Sequence, residues 1–255
     1  CQIFADFFAS NTTPCVGATV NFTDNSVGAT GWSWNFGPNA TPTTSNLQSP
    51  SVVFNSTGLQ TITLTVTGPN GSDSETKSNY IDVKTTPSAA GAISGLSTVC
   101  AGDQQVNYSV NPIANADNYI WTTPSGAIIN SGDGTDAITI NYDVNATSGN
   151  ITVQGENVCG TGTLSTLSIT VNPLPADAVS VNGDFIVCQG ETGVMYVCTA
   201  IANATTYNWT LPSGATIAQN LGDTIYVDFS AVALSGDLTV YGSNATCGDG
   251  QSQSF

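Results

Sequence analysis

Apolar and polar residues alternate along this chain with period two, in short runs broken by Gly, Pro, Asn and Asp. That period puts successive side chains on opposite faces of an extended backbone, so each run predicts a half-buried β-strand. Phe4 and Phe7 fall on the first predicted strand and Val20 and Phe22 on the second. Trp32, Trp34 and Phe36 put three aromatic rings on one face of the third. Ile62, Leu64 and Val66 alternate on a later strand, and residues 80–83 close this first series. Further on, Val106/Tyr108/Val110, Tyr119/Trp121, Ile138/Ile140/Tyr142, Ile151/Val153 and Leu167/Ile169/Val171 repeat the pattern. Tyr196, Tyr207/Trp209, Ile225/Val227/Phe229 and Leu238/Val240 do so once more. Helical periodicity is absent. The expected class is all-β, built as sandwiches.

The runs are organised by a repeat. Residues 100–162 recur at 188–250: Cys100 matches Cys188, Tyr119-x-Trp121 matches Tyr207-x-Trp209, and Pro124-Ser-Gly-Ala matches Pro212-Ser-Gly-Ala. Gly149 matches Gly236, and Cys159-Gly matches Cys247-Gly. A looser copy at the start carries Cys15, GWSWNFGPNA and TGLQTITLTVTGPNGS. Cys15, Cys100 and Cys188 are therefore 85 and then 88 residues apart. Each copy is long enough for one core, which predicts three tandem domains at 1–86, 87–174 and 175–255. The linkers at 84–91 and 171–178 contain Pro87, Pro173 and Pro175. Proline fixes φ, so the expected array is elongated and semi-rigid, ~30–40 Å per domain and ~100 Å in all. Val171 lies 12 residues past Cys159; the same offset from Cys247 falls at position 259, beyond Phe255. The last strand of the third domain is thus expected from further chain or from a partner.

Composition narrows the function. Lys77 and Lys84 are the only basic residues against 18 acidic ones, and the net charge is −16. Such a chain is repelled by nucleic acid and by anionic membranes. No apolar run reaches the length of a membrane span, so direct membrane insertion is not expected. No secretion signal is recognisable, which implies that one was removed or lies upstream. The absence of His excludes His-dependent triads and His metal sites. Asp133, Asp136 and Asp223 are the calcium candidates. They lack EF-type spacing, and solvated turns are the competing explanation. No other cofactor and no catalytic residue is expected. Trp32, Trp34, Trp121 and Trp209 could stack on sugars. However, Trp34, Trp121 and Trp209 share one central-strand slot, with Tyr119 and Tyr207 at period two, and core packing is the preferred reading. Phe8, out of phase with Phe7, is expected to be exposed.

The motifs FTDNS (22–26), WSWNFG (32–37) and TGLQTITLTVTGPNGSD (57–73) resemble the PKD family of Ig-like sandwiches. Pro38-Asn39 stands where that family usually has an acidic–glycine pair. The second and third domains resemble PKD-like repeats of very large secreted proteins of gliding and biofilm-forming Bacteroidota. The resemblance implies an extracellular protein on the bacterial cell surface, exported by the type IX route. It implies an adhesive stalk or filament whose partners are further repeats of the same chain, surface polysaccharide or other surface proteins. The alternative is an accessory module of a secreted polysaccharide- or protein-degrading enzyme. Lysine–asparagine isopeptide staples, known in other surface adhesins, are excluded from the second and third domains, which contain no lysine.

Seven cysteines, most at repeat-equivalent places, predict an oxidising compartment. One pairing joins Cys100 to Cys159 and Cys188 to Cys247, within domains. Topology favours the other. In an Ig-like sandwich the strand after Cys100 and the strand before Cys159 run the same way in opposite sheets, so these cysteines lie at opposite ends of the domain. A disulfide requires Cα atoms within ~7 Å. The base of one domain does face the top of the next, which pairs Cys15 with Cys159 and Cys100 with Cys247. Cys188 is then left for a cysteine of a further domain. Cys198 replaces Val110 and reads as a small buried hydrophobe. Cys1 fits either a lipidated N-terminus or a fragment boundary.

Overall fold

The structure, a computed structural model, describes residues 2–255. Cys1 lies outside the described residues, and with it the choice between lipid anchor and boundary. Among the described residues every regular element is a β-strand, and none is a helix long and apolar enough to cross a membrane.

In the first module Phe7–Ala9, Thr19–Asp24, Ser51–Phe54 and Ala40–Thr41 form one sheet. Thr44–Ser45, Gly31–Asn35, Gly58–Gly68 and Gly71–Val83 form the facing sheet. Between them lies a core that includes Phe7, Val20, Phe22, Trp34, Phe36, Ile62, Leu64, Val66 and Ile81. The alternation that predicts Gly58–Gly68 also orients it: Gln60, Ile62, Leu64 and Val66 are buried, while Thr61 and Thr67 face out. Phe4 departs from expectation. It is outside the first strand, 60% exposed, and bridges singly to Val27. Its neighbour Ala5 supplies the inward contact instead.

The second module pairs Ala127–Ser131, Ala137–Tyr142, Val106–Ser109 and Ser94–Gly95 in one sheet. The other contains Thr98–Cys100, Ser165–Asn172, Gly149–Asn157 and Asn118–Thr122. The third module repeats this with Val181–Gly183, Val194–Cys198, Thr224–Phe229 and Ala215–Asn220 facing Thr206–Thr210, Thr239–Asn244, Gly248–Asp249 and Gln253–Ser254. Each module has its own buried cluster.

A chain with so few charges must be solvated by neutral polar groups. Cross-strand hydroxyl pairs supply them: Thr63 with Thr76 at 3.0 Å, Thr65 with Ser74 at 3.0 Å, and Thr122 with Thr152 at 2.6 Å. Charge is used sparingly. Lys77 donates to Asp6 at 3.1 Å and to the Phe7 carbonyl, with its ammonium 4.6 Å from the centre of the Phe7 ring. The accessible surface is 13079 Å² for 26.0 kDa. A compact monomer of that mass exposes about 10,500 Å². The excess fits three cores arranged in series rather than merged into one.

Candidate functional site at the module junctions

The residues that the sequence singles out fall into two groups. The aromatic slot belongs to the cores. Trp34 and Trp121 are buried; Trp209, Tyr119 and Tyr207 are half-buried at the core margin. Every one of these polar ends is used internally. The indole N–H of Trp34 donates to Leu47 O, that of Trp121 to Thr135 O and that of Trp209 to Gly222 O, all within 2.9 Å. Trp32 is half-buried and donates to Asp24 Oδ2 at 2.7 Å. The Tyr119 and Tyr207 hydroxyls accept the amides of Ile113 and Ile201. The rings of Trp34 and Trp121 are closed inside their cores, whereas Trp32 and Trp209 keep part of their surface exposed. Phe8 is 51% exposed beside the 1% exposed Phe7.

The acidic candidates stay dispersed. Asp133 Oδ1 accepts the Gly134 amide on its own turn, and Asp223 Oδ1 accepts the Thr224 hydroxyl in another module. Asp136 contributes its backbone carbonyl to Val110. No three His, Cys, Asp or Glu side chains come together among the described residues.

The cysteines converge where modules meet. Cys15 bonds to Cys159, with Cα atoms 5.6 Å apart across a sequence separation of 144. Cys100 bonds to Cys247, with Cα atoms 5.5 Å apart across 147 residues. The within-module pairing is not made. Cys198 is buried and free, and burial pushes its thiol above the usual range.

Around each bridge the chain builds the same joint. At the first, Asn157 Nδ2 donates to Thr85 O in the linker and to Asn115 O, both at 2.7 Å. Its Oδ1 accepts the Cys159 amide at 2.8 Å. At the second, Asn244 Nδ2 donates to Asn203 O at 3.0 Å and to the linker carbonyl of Pro173 at 3.5 Å, and its Oδ1 accepts the Cys247 amide at 2.7 Å. Asn115 and Asn203 sit at φ of 64° and 65°, a left-handed conformation that asparagine tolerates better than most residues. The linkers are pinned alike: Ser88 N–H donates to Ala114 O, and Ala176 N–H to Ala202 O. Gly162 and Gly250 let the linker pass. A Cβ there would lie 2.5 Å from Ser88 O and 2.7 Å from Pro175 O respectively.

Sequence reasoning gives no junction role to Asn157, Asn244, Asn115, Asn203, Gly162 or Gly250. The signal was present, because each has its like at the equivalent place in the other copy. The first joint adds a charge. Lys84 abuts Cys15 through a backbone bridge and pairs with Asp82 at 2.8 Å. The hydrogen bond to Asp82 holds its ammonium above the ordinary lysine range, with Asp117 of the second module adding to the attraction.

Comparison with known proteins agrees with this architecture. A PKD-like domain model matches residues 86–169 and again 174–255, and a PKD domain model matches residues 4–83. The chain belongs to the PKD-like family. No curated protein sequence matches it. Among solved structures it is similar to the I-band fragment I67–I69 of titin, at 15% identity and a TM-score of 0.48, covering 96% of this chain and 94% of that one. It is also similar to the ICAM-5 D1–D4 ectodomain fragment, at 8% identity and a TM-score of 0.45, covering 99% and 75%. A third similarity is to three N-terminal domains of the bacteriophage RB49 outer capsid protein Hoc, at 13% identity and a TM-score of 0.35, covering 99% and 95%.

Proposed function

We propose that this PKD-like chain is a segment of a secreted stalk or filament that projects an adhesive end from a bacterial cell surface. The observation that carries this reading is the twice-built joint, in which a disulfide, an asparagine peg and a proline-containing linker tie each module to the next. Such joints resist bending and separation, which suits transmission of tension along a string of small cores. Disulfides persist outside reducing cytosol, which supports an extracellular setting. The family resemblance extends the reading to a Bacteroidota adhesin of the gliding or biofilm type, exported by the type IX route. Immunogold labelling of producing cells with antibodies to this segment tests it. Label on surface filaments or shed material is expected, and label confined to the cell interior overturns it.

The accessory-module alternative needs an aromatic platform for polysaccharide. Trp34 and Trp121 are buried in their cores, which leaves the half-buried Trp32 and Trp209 as the ring faces that could serve. Strong glycan-array binding that is lost in Trp209→Ala would favour that alternative over the stalk.

A further inference from the structure

The third module has an opening whose counterpart in the second module is covered by that module's own strand. In the second, Ser165–Asn172 serves two partners. Its first half pairs antiparallel with Gly149–Asn157, and Thr170–Asn172 then runs parallel to Thr98–Cys100. Val171 is thereby buried against that module's core. In the third, Gln253–Ser254 repeats the first pairing on Thr239–Asn244. Ile186, Val187 and Cys188 are the counterparts of Thr98, Val99 and Cys100, and among the described residues they belong to no strand. Beside them lies a cavity of about 470 Å³ lined by Phe185, Val187, Tyr196, Phe229, Leu238 and Phe255. Apolar side chains crowd its mouth: Ile186 is 97% exposed and Leu234 63%.

Cys188 stands at the rim with an exposed, free thiol. Its turn is the one that presents Cys100. The Cys188 amide donates to Glu191 Oε2 at 2.9 Å, as the Cys100 amide donates to Asp103 Oδ2 at 2.7 Å. At both equivalent positions, Cys15 and Cys100, the sulfur is bonded to the loop cysteine of the module that follows.

We propose that this end of the third module is a docking site for another PKD-like module. The strand leading into that module lies parallel to Ile186–Cys188 and fills the cavity with alternate apolar residues, as Ile169 and Val171 do in the second module. The incoming module's Asn-containing loop then closes a disulfide on Cys188. A small-molecule disulfide is the oxidant. The Cys188 thiolate attacks one of its sulfurs and releases one thiol. The incoming thiolate then attacks Cys188 in the mixed disulfide and releases the second, so that two electrons and two protons pass to the reagent. This deepens the stalk reading and rests on it.

The test uses residues 1–255 followed directly by a second copy of residues 168–255, which continues the strand in register. It is folded in oxidised and reduced glutathione and mapped without reduction. The expected product links Cys188 to the appended counterpart of Cys247, with Cys188 lost to alkylating reagents. Cys188 still open to alkylation, or joined to Cys188 of a second molecule, while Cys15–Cys159 and Cys100–Cys247 form normally, overturns the docking site and leaves the stalk standing. Failure of those two bridges as well sinks both. A Cys188→Ser version of the extended chain checks the groove alone. The amides of Ile186 and Val187 should exchange more slowly than in the 255-residue chain; equal exchange overturns the strand assignment.

Discussion

Pulling the chain by its two ends separates the possible disulfide patterns. The bridges overlap in sequence: Cys15–Cys159 begins before Cys100–Cys247 and ends inside it. The shortest covalent route between the termini follows the chain to Cys15, crosses to Cys159, runs backwards to Cys100, crosses to Cys247 and leaves at Phe255. That route contains 15, 60 and nine residues in turn, or 84. At ~3.6 Å per extended residue the oxidised chain stops lengthening near 300 Å. With both bridges reduced, all 255 residues extend, to about 920 Å. Pairing within modules would leave 100, 30 and nine residues in the route, or 139, and a limit of about 500 Å. Force spectroscopy with handles at both ends, before and after reductant, resolves all three lengths. A limit near 500 Å in the oxidised chain would refute the inter-module clamp, and one near 920 Å would refute bridging altogether.

Other expectations concern the joints and cores. Asn157→Ala removes two hydrogen bonds to backbone carbonyls, each worth about 1 kcal/mol. Hydrogen exchange across residues 85–90 should speed up by on the order of tenfold or more, with the module cores unaffected. Tyr108 and Tyr142 share a buried hydroxyl contact of 2.8 Å, and burial foremost raises both above the usual phenol range. The folded state therefore keeps protons that the unfolded chain loses near pH 10. Stability of the second module is complete below that pH and should fall above it, as read by thermal melts in alkaline buffers. Asp6 and Asp24 are held below 3.8. The Asn25 hydrogen bond is foremost for Asp6, whereas for Asp24 bonds from Ser26, Gln48 and Trp32 outweigh its burial. Their contribution is present above the ordinary carboxylate pKa and lost as pH falls through the lowered values, so thermal melts in acid buffers should show the first module losing stability below the ordinary carboxylate range.

Much of the fold was legible because period two and burial are the same fact. Ile62, Leu64 and Val66 had to share a face, and that face became the core. Phe4 misleads because an aromatic residue near a terminus reads as core, although it lies three residues from Phe7, on the opposite face at period two, and the strand begins only at Phe7. The joints were only half legible. Cysteine chemistry and topology point to the ends of modules, since a disulfide tolerates only a narrow range of Cα separations. Asn157 and Asn244 carry no such signature. An asparagine that satisfies two carbonyls has the same sequence appearance as one on a solvated loop, and only the folded backbone brings Thr85 and Asn115 to it. Gly162 and Gly250 recur at equivalent places in the two copies, but the reason for glycine there appears only once the linker runs past them.

A stalk of this kind requires three cores held end to end. Small-angle X-ray scattering of the oxidised chain tests that claim most directly. A rod of ~100 Å has a radius of gyration of about 29 Å from its length alone, and the account predicts a value close to that. About 18 Å, the value for a compact body of this chain length, would contradict it.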